Sequence, residues 1–291
     1  MANHFLIQSV RIFVPVPTNG PYEEESMGRA FRLLSLAVLS SLGLAATPAQ
    51  ALELVLLTTQ NQIILTNDQN LNQRTTLKVS GVAAPLVGID VRPANNQLYG
   101  VSADGNIYRI MTSTGAATWV SKLNQEFDAS QGAVVDFNPV ADRLRLMGMG
   151  GKMNFRVNVD NGQVVLDKPL AYVDKDPNHG KAPMVTAGAY INSMFGAKET
   201  QIFDIDSMIG SYVIQDPPND GILTTVGNTG MGSKWVEAID IYTDAQFNYT
   251  GYAVSGNVLH KLDVGKGTIT AVGPIASSPM KIIDLAILPP R

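Results

Sequence analysis

The sequence predicts an all-β fold, a β-propeller of about five four-stranded blades with its ring closed by pairing of the N- and C-terminal strands. Three observations carry that expectation. A pattern of four short strands recurs along the chain, its anchor residues are spaced at a blade-sized period, and the two chain ends each supply part of one further copy.

The clearest copy is LVGIDVRPANNQLYGVSADGNIYRIMTSTGAATWVSKL, residues 86–123. Residues 88–92 alternate apolar Ile89 and Val91 with other residues, as a strand does, and residues 93–96 supply turn chemistry. Residues 97–102 are a second strand, residues 103–106 (Ala-Asp-Gly-Asn) a hairpin turn, and residues 107–111 and 118–120 complete the unit. The copy at 133–170 keeps the Asp, the Pro three residues on and the Asn-Gly turn before its last strand. A third at 187–227 has Tyr190 in place of the Asp, and a fourth at 236–275 restores it at Asp240. The anchors Asp90, Asp136, Tyr190, Asp240 and Asp284 are 46, 54, 50 and 44 residues apart. The C-terminal KIIDLAILPP supplies one strand, and residues 54–79 supply strands lacking that first one, so the two ends complete a blade and remove an open sheet edge. A sixth blade stays open if the irregular stretch 167–232 hides further strands.

Apolar residues make up 45% of the 291-residue chain and charged residues 16%, a balance that supports a large core and excludes general disorder. The 21 basic residues are scattered among 25 acidic ones, so nucleic acid is not an expected partner. The absence of cysteine excludes disulfides, thiolate nucleophiles and Cys-based metal sites. With only His4, His179 and His260 present, a multi-histidine metal site or a His-centred triad has little material.

From Met27 the chain reads MGRAFRLLSLAVLSSLGLAATPAQA, with Arg29 and Arg32 as a positive region, an apolar run over 33–46 and Ala49-Gln50-Ala51 as a cleavage site. The 14-residue run is shorter than the roughly 20 residues that span hydrocarbon, so the segment reads as a signal peptide rather than an anchor. The expected organisation is an upstream, disordered extension at 1–26, a signal peptide at 27–51 and one propeller domain at 52–291. The mature chain is then a monomer in the periplasm or outside the cell, without a membrane span.

The stretches GIDVRPANNQLYGVSADGNIYRI, DFNPVADRLRLM, NFRVNVDNGQVV, GAYINSM and QDPPNDGILTTVG together resemble the bacterial family catalogued as domain of unknown function 4394. The resemblance covers nearly all of residues 54–289 and implies an exported propeller. It lends no catalytic residue, and this chain departs from the family pattern mainly in the Met-rich turn at 147–153.

Asp90, Asp136, Asp240 and Asp284 could ring the channel and bind a cation, but a residue repeated in every blade more often serves the blade, here by accepting N–H bonds at the turns before Pro93 and Pro139. Non-repeated features are better pointers to function. The segment DKPLAYVDKDPNHGKAP, residues 167–183, holds Asp174, Asp176 and Asn178 at a spacing that makes them calcium candidates, although Pro177, Lys175, Lys181 and the missing bidentate Glu weaken the match. No other cofactor is expected. His179 is a candidate ligand-binding residue or base, with Asp174 or Asp176 to orient it. Residues 215–221 read as a rigid hairpin connection. Arg143, Arg145 and Arg156 share a sheet face, where they could hold an anion or pair with acids of a neighbouring blade. Tyr99, Tyr108 and Trp119 read as aromatic packing between sheets, which leaves Trp235 free to stack on a sugar. The expectation is a binding module for protein or glycan. The alternative is a carboxylate- or metal-dependent hydrolase or lyase with its site at the channel mouth.

Overall fold

The computed structural model describes residues 50–275 and 280–290. The proposed extension, the signal peptide up to Ala49 and His4 lie outside the described residues. Ala51 is half-buried, and Leu52 behind it is buried, with its N–H on the Asp68 carboxylate at 2.9 Å.

Among the described residues, five small antiparallel sheets form the blades of a ring. β1 (Glu53–Thr58), β2 (Gln62–Asn67) and β3 (Asn70–Lys78) begin the chain. β4 (Leu86–Arg92), β5 (Gln97–Ser102), β6 (Asn106–Ile110) and β7 (Ala117–Lys122) form blade 1. β8 (Ala133–Asn138), β9 (Arg143–Gly148), β10 (Asn154–Asn158) and β11 (Gln163–Leu166) form blade 2. The short β12 (Ala171–Tyr172) precedes β13 (Val185–Tyr190), β14 (Ile202–Asp206), β15 (Ser211–Gln215) and β16 (Ile222–Asn228) of blade 3. Blade 4 is β17 (Ala238–Thr243), β18 (Tyr249–Ser255), β19 (Val258–Leu262) and β20 (Ile269–Pro274). β21 (Ile282–Leu288) then pairs antiparallel with β1, Leu56 opposite Leu285, so blade 5 is β21 with β1–β3.

The anchors all fall on innermost strands: Asp90 on β4, Asp136 on β8, Tyr190 on β13, Asp240 on β17 and Asp284 on β21. The irregular stretch hides no sixth blade. Its extra strand, β12, adds to the outer edge of blade 3 by pairing in parallel with β16, Ala171 opposite Ile222. The 215–221 connection joins β15 to β16 through a 3-10 turn at Pro218–Asp220.

Burial follows position in the blade. Every residue of β13 is buried, because an inner strand is wedged between neighbours, whereas most residues of β3 at the rim are exposed. Five apolar clusters each join two neighbouring blades: Tyr99, Val101 and Ile107 of blade 1, for example, pack on Phe137, Leu144 and Leu146 of blade 2. Burial of apolar area at roughly 25 cal/mol per Å² therefore holds the ring together blade by blade. Trp119 departs from the expected packing. The residue is 59% exposed on β7, and its indole N–H donates to Asn106 Oδ1 at 3.0 Å, because the outermost strand has no neighbouring sheet on that face.

Candidate functional site

Two features occupy the ring axis, a set of buried carboxylates and a cavity at the mouth where the inner strands begin. Asp90 Oδ2 accepts the N–H of Phe137 on β8 at 2.6 Å, and Asp136 Oδ1 accepts that of Tyr190 on β13 at 2.9 Å. Asp240 Oδ2 accepts Ile287 N–H on β21 at 2.6 Å, and Asp284 Oδ2 accepts Ile89 N–H on β4 at 2.7 Å. The second oxygens of Asp90, Asp240 and Asp284 accept the N–H of the next residue in their own strands. Each acid thus latches its blade to the next one, rather than serving the turn before a proline. The glycine of the G-I-D motif makes room for this: a Cβ on Gly88 would stand 2.9 Å from Asp284 Oδ2 and 2.3 Å from Val135.

Burial, reinforced by the neighbouring Asp240 charge, holds the Asp90 carboxyl well above its ordinary range, against the pull of its two N–H bonds. Asp136 is raised by burial and then by Asp90 and Asp240, Asp284 by burial, and Asp240 by burial to about 6. One oxygen from each of Asp90, Asp136 and Asp240 lies within 4.8 Å of the others, so these are the residues that could hold a cation. Asp90 and Asp240 also border a void of about 20 Å³ at the mouth where the inner strands end.

At the opposite mouth lies a cavity of about 160 Å³, lined by Leu86 and Val87 at the start of β4, by Gly132 and Ala133 at the start of β8, and by Ala129, Gln131 and Met149. Trp235 and Glu237 contribute from just before β17, and Lys281 and Ile283 from the start of β21. Its walls are mainly apolar. Trp235 is 37% exposed, and its carbonyl is tied down by Ser255 Oγ–H at 2.6 Å. The Glu237 side chain is only 8% exposed. Its Oε2 accepts Gly256 N–H at 3.0 Å, and its Oε1 lies 3.6 Å from the Lys281 ammonium. Met149 folds over Gly132, where φ is +107° and a Cβ would stand 2.5 Å from the methionine methyl. Two wider troughs, of about 620 and 690 Å³, lie elsewhere; the first lacks both carboxylates and aromatic rings, and the second follows β19 and its turn into β20.

The residue three places before each anchor is Val87, Ala133, Ala187, Glu237 and Lys281 in turn. Four of these five line the cavity. The column is apolar in three blades and oppositely charged in adjacent blades 4 and 5, a signal in the repeat alignment that points to Glu237 and Lys281, which sequence reasoning had missed.

The candidates in the 167–183 segment lie in a different place. The Asp174 side chain is 97% exposed and approaches His179 Nδ1 at 3.9 Å. Asp176 is buried, accepting Thr225 N–H at 2.6 Å, Thr225 Oγ1–H at 2.9 Å and Asn178 N–H at 2.8 Å. Asn178 Oδ1 accepts the Lys181 ammonium at 2.8 Å, while its amide donates to Ser211 and Thr225. These contacts fasten the connector onto blade 3. Arg145 is 1% exposed and pairs with Asp167, Asn154 and Asn219, and Arg156 shares Asp167, so these guanidiniums bind within the protein. Arg92 escaped the sequence reading; from blade 1 it bonds Asp142 and Asp160 of blade 2. His260 is buried on β19, its Nδ1 3.0 Å from Val258 O, and burial lowers its pKa.

Fold and axis together define a five-bladed propeller whose blades are latched by inner-strand acids, with a cavity at one mouth. The pattern of the family described as "Domain of unknown function (DUF4394)" matches residues 62–286, and the chain belongs to that family. No curated protein matches the sequence. Among solved structures, a Bacteroides thetaiotaomicron protein of unknown function aligns at 15% identity and TM-score 0.46, over 81% of this chain and 62% of its own; this chain thus spans about three fifths of that structure's length. A chain of the nidogen/laminin complex aligns at 9% identity and TM-score 0.50, over 81% of this chain and 98% of its own. Virginiamycin B lyase from Staphylococcus aureus aligns at 12% identity and TM-score 0.41, over 79% and 73%. At such identities the likeness is one of fold. No helix among the described residues is long and apolar enough to cross a membrane.

Proposed function

We propose that this protein is an exported binding module that captures its ligand at the mouth where the inner strands begin. One observation carries the reading: Trp235, Glu237, Lys281 and Met149, from separate parts of the chain, line one cavity on the ring axis. A concave, mainly apolar site with a few convergent polar groups is the usual form of a binding pocket. The anchor acids support the same reading, since seven of their eight carboxylate oxygens accept backbone N–H groups and so are engaged in joining the strands rather than poised as an acid–nucleophile pair. Export rests on the Met27–Ala51 pattern.

The full-chain protein, applied to glycan and peptide arrays beside an Ala129→Trp variant, tests this. Ala129 lines the cavity from a loop, so a tryptophan there fills the space without entering a sheet. Retention of one ligand class by the wild type and its loss in the variant is the expected result. Retention unchanged in the variant, or no retention on either array, overturns the proposal.

A further inference from the structure

Size narrows the ligand. The cavity, at about 160 Å³, has the room of about five waters at liquid density. That is below the roughly 300 Å³ at which pockets for drug-sized ligands begin, so it admits one ring-sized group and not two.

Chemistry narrows it further. A Trp face binds a flat apolar surface, and the C–H face of a pyranose is one. Glu237 is held by Gly256 N–H through one oxygen only, and its other oxygen and the Lys281 ammonium stand 3.6 Å apart beside the cavity. Such a pair presents one acceptor and one donor side by side. Two neighbouring ring hydroxyls match it, the first donating to the carboxylate and the second accepting from the ammonium. The pair's charges oppose one another, which favours a neutral ligand over an anion or a cation. Leu86, Val87, Ala133 and Ile283 offer no polar partner, and Gln131 is the one uncharged polar side chain of the lining, so the charged pair Glu237 and Lys281 is the strongest draw on the polar edge of the ligand.

On the reading of this mouth as a binding site, we infer that the cavity takes a single neutral pyranose unit at the end of a glycan, with Trp235 against its C–H face and Glu237 and Lys281 on a vicinal diol. Trp235 supplies most of the affinity, since stacking and desolvation act over the whole ring. The ion pair supplies selectivity, because a buried carboxylate left facing a missing hydroxyl is penalised.

Saturation-transfer NMR with methyl pyranosides as probes tests this on the full-chain protein, comparing wild type with Trp235→Ala, Glu237→Gln and Ala129→Trp. Saturation concentrated on ring C–H protons is expected, with affinity at least about tenfold weaker in Trp235→Ala and no binding in Ala129→Trp. Glu237→Gln keeps the bond from Gly256, so it should fold normally. It should narrow the preference for diol-bearing pyranosides over their 3-deoxy or 4-deoxy analogues. Equal binding of deoxy probes, or equal binding by Trp235→Ala, overturns the inference. If no pyranoside binds while a peptide from the array binds in an Ala129-dependent way, the pyranose assignment falls and the binding reading stands. If neither binds, both fall.

Discussion

Four of the five seams between blades are closed by a buried carboxylate, and the fifth, between blades 3 and 4, is closed by hydroxyls. There Thr186 Oγ1 donates to Val236 O at 2.7 Å, Ser207 Oγ accepts Val236 N–H at 3.0 Å, and Thr243 Oγ1 accepts Asn192 N–H at 2.9 Å. The anchor of blade 3, Tyr190, turns its hydroxyl to Arg145 of blade 2 instead of reaching forward to blade 4. A carboxylate can satisfy two amides at once and makes the stronger bond, but it carries a charge into the interior. Three of these acids, Asp90, Asp136 and Asp284, are already raised in part by the charge of neighbouring acids, after burial. A fifth would add repulsion, whereas hydroxyls close the last seam without charge. The comparison shows that one structural task, joining neighbouring inner strands, is met by two chemistries, of which only the carboxylate one responds to pH.

The largest expected effect comes from breaking a carboxylate seam. Asp90→Ala leaves the N–H groups of Val91 and Phe137 unpaired in the interior, and the loss is expected to be about 2–5 kcal/mol at neutral pH by urea unfolding. A loss below that seen at the hydroxyl seam would refute the latch.

Next comes pH. Asp204, on β14, is fully buried with neither oxygen hydrogen-bonded, and burial raises it to about 8. Between pH 4 and pH 8 the folded protein keeps a proton that the unfolded chain has shed, so stability falls as pH rises through that window. The same sign holds for Asp240, raised to about 6, and for the other anchor acids. Asp204→Leu should therefore be more stable than wild type by on the order of a few kcal/mol at pH 8, with the gain shrinking toward pH 4. Unfolding midpoints across that range read it, and a gain independent of pH would mean that Asp204 does not titrate there.

A smaller effect is expected at the fifth seam. Thr186→Val removes one hydroxyl bridge for about 1–2 kcal/mol. Because no acid titrates in those bridges, the difference from wild type should be the same at pH 5 and pH 8. A pH-dependent difference would tie this seam to the acids and dissolve the comparison.

The smallest shift belongs to the 167–183 connector. Asp176 and Asn178 already spend their oxygens on Thr225 and Lys181, so millimolar calcium or EDTA should leave the melting temperature unchanged. A rise with calcium that is lost in Asp176→Asn would restore the calcium reading of Asp174, Asp176 and Asn178.

Much of the fold was legible in the repeats. The strands that begin near residues 86 and 97 appear close to where alternation and turn residues put them, and the completion of blade 5 by β21 follows from the half-copies at the two ends. The mouth was less legible. Trp235 stood out as a lone unrepeated aromatic, but Glu237, Lys281, Met149 and Ala129 meet only because four inner strands begin at one place. The exposed Trp119 was misjudged because alternation assigns a residue to a face without telling whether a neighbouring sheet covers that face.

The sequence by itself determined the blade: local alternation, Asn-Gly and Asp-Gly turns and an acid recurring on four of the five first strands are short-range properties, set by the backbone's period of two. It also set the pairing of the ends, while the count of five was decided by the structure, where the 167–232 stretch adds only β12 to the edge of blade 3. Only the tertiary structure decided what the acids bond and what faces the axis. The partner of Asp90 is an amide 47 residues away, and that of Asp284 lies 195 residues back, so their roles exist only once the ring has closed.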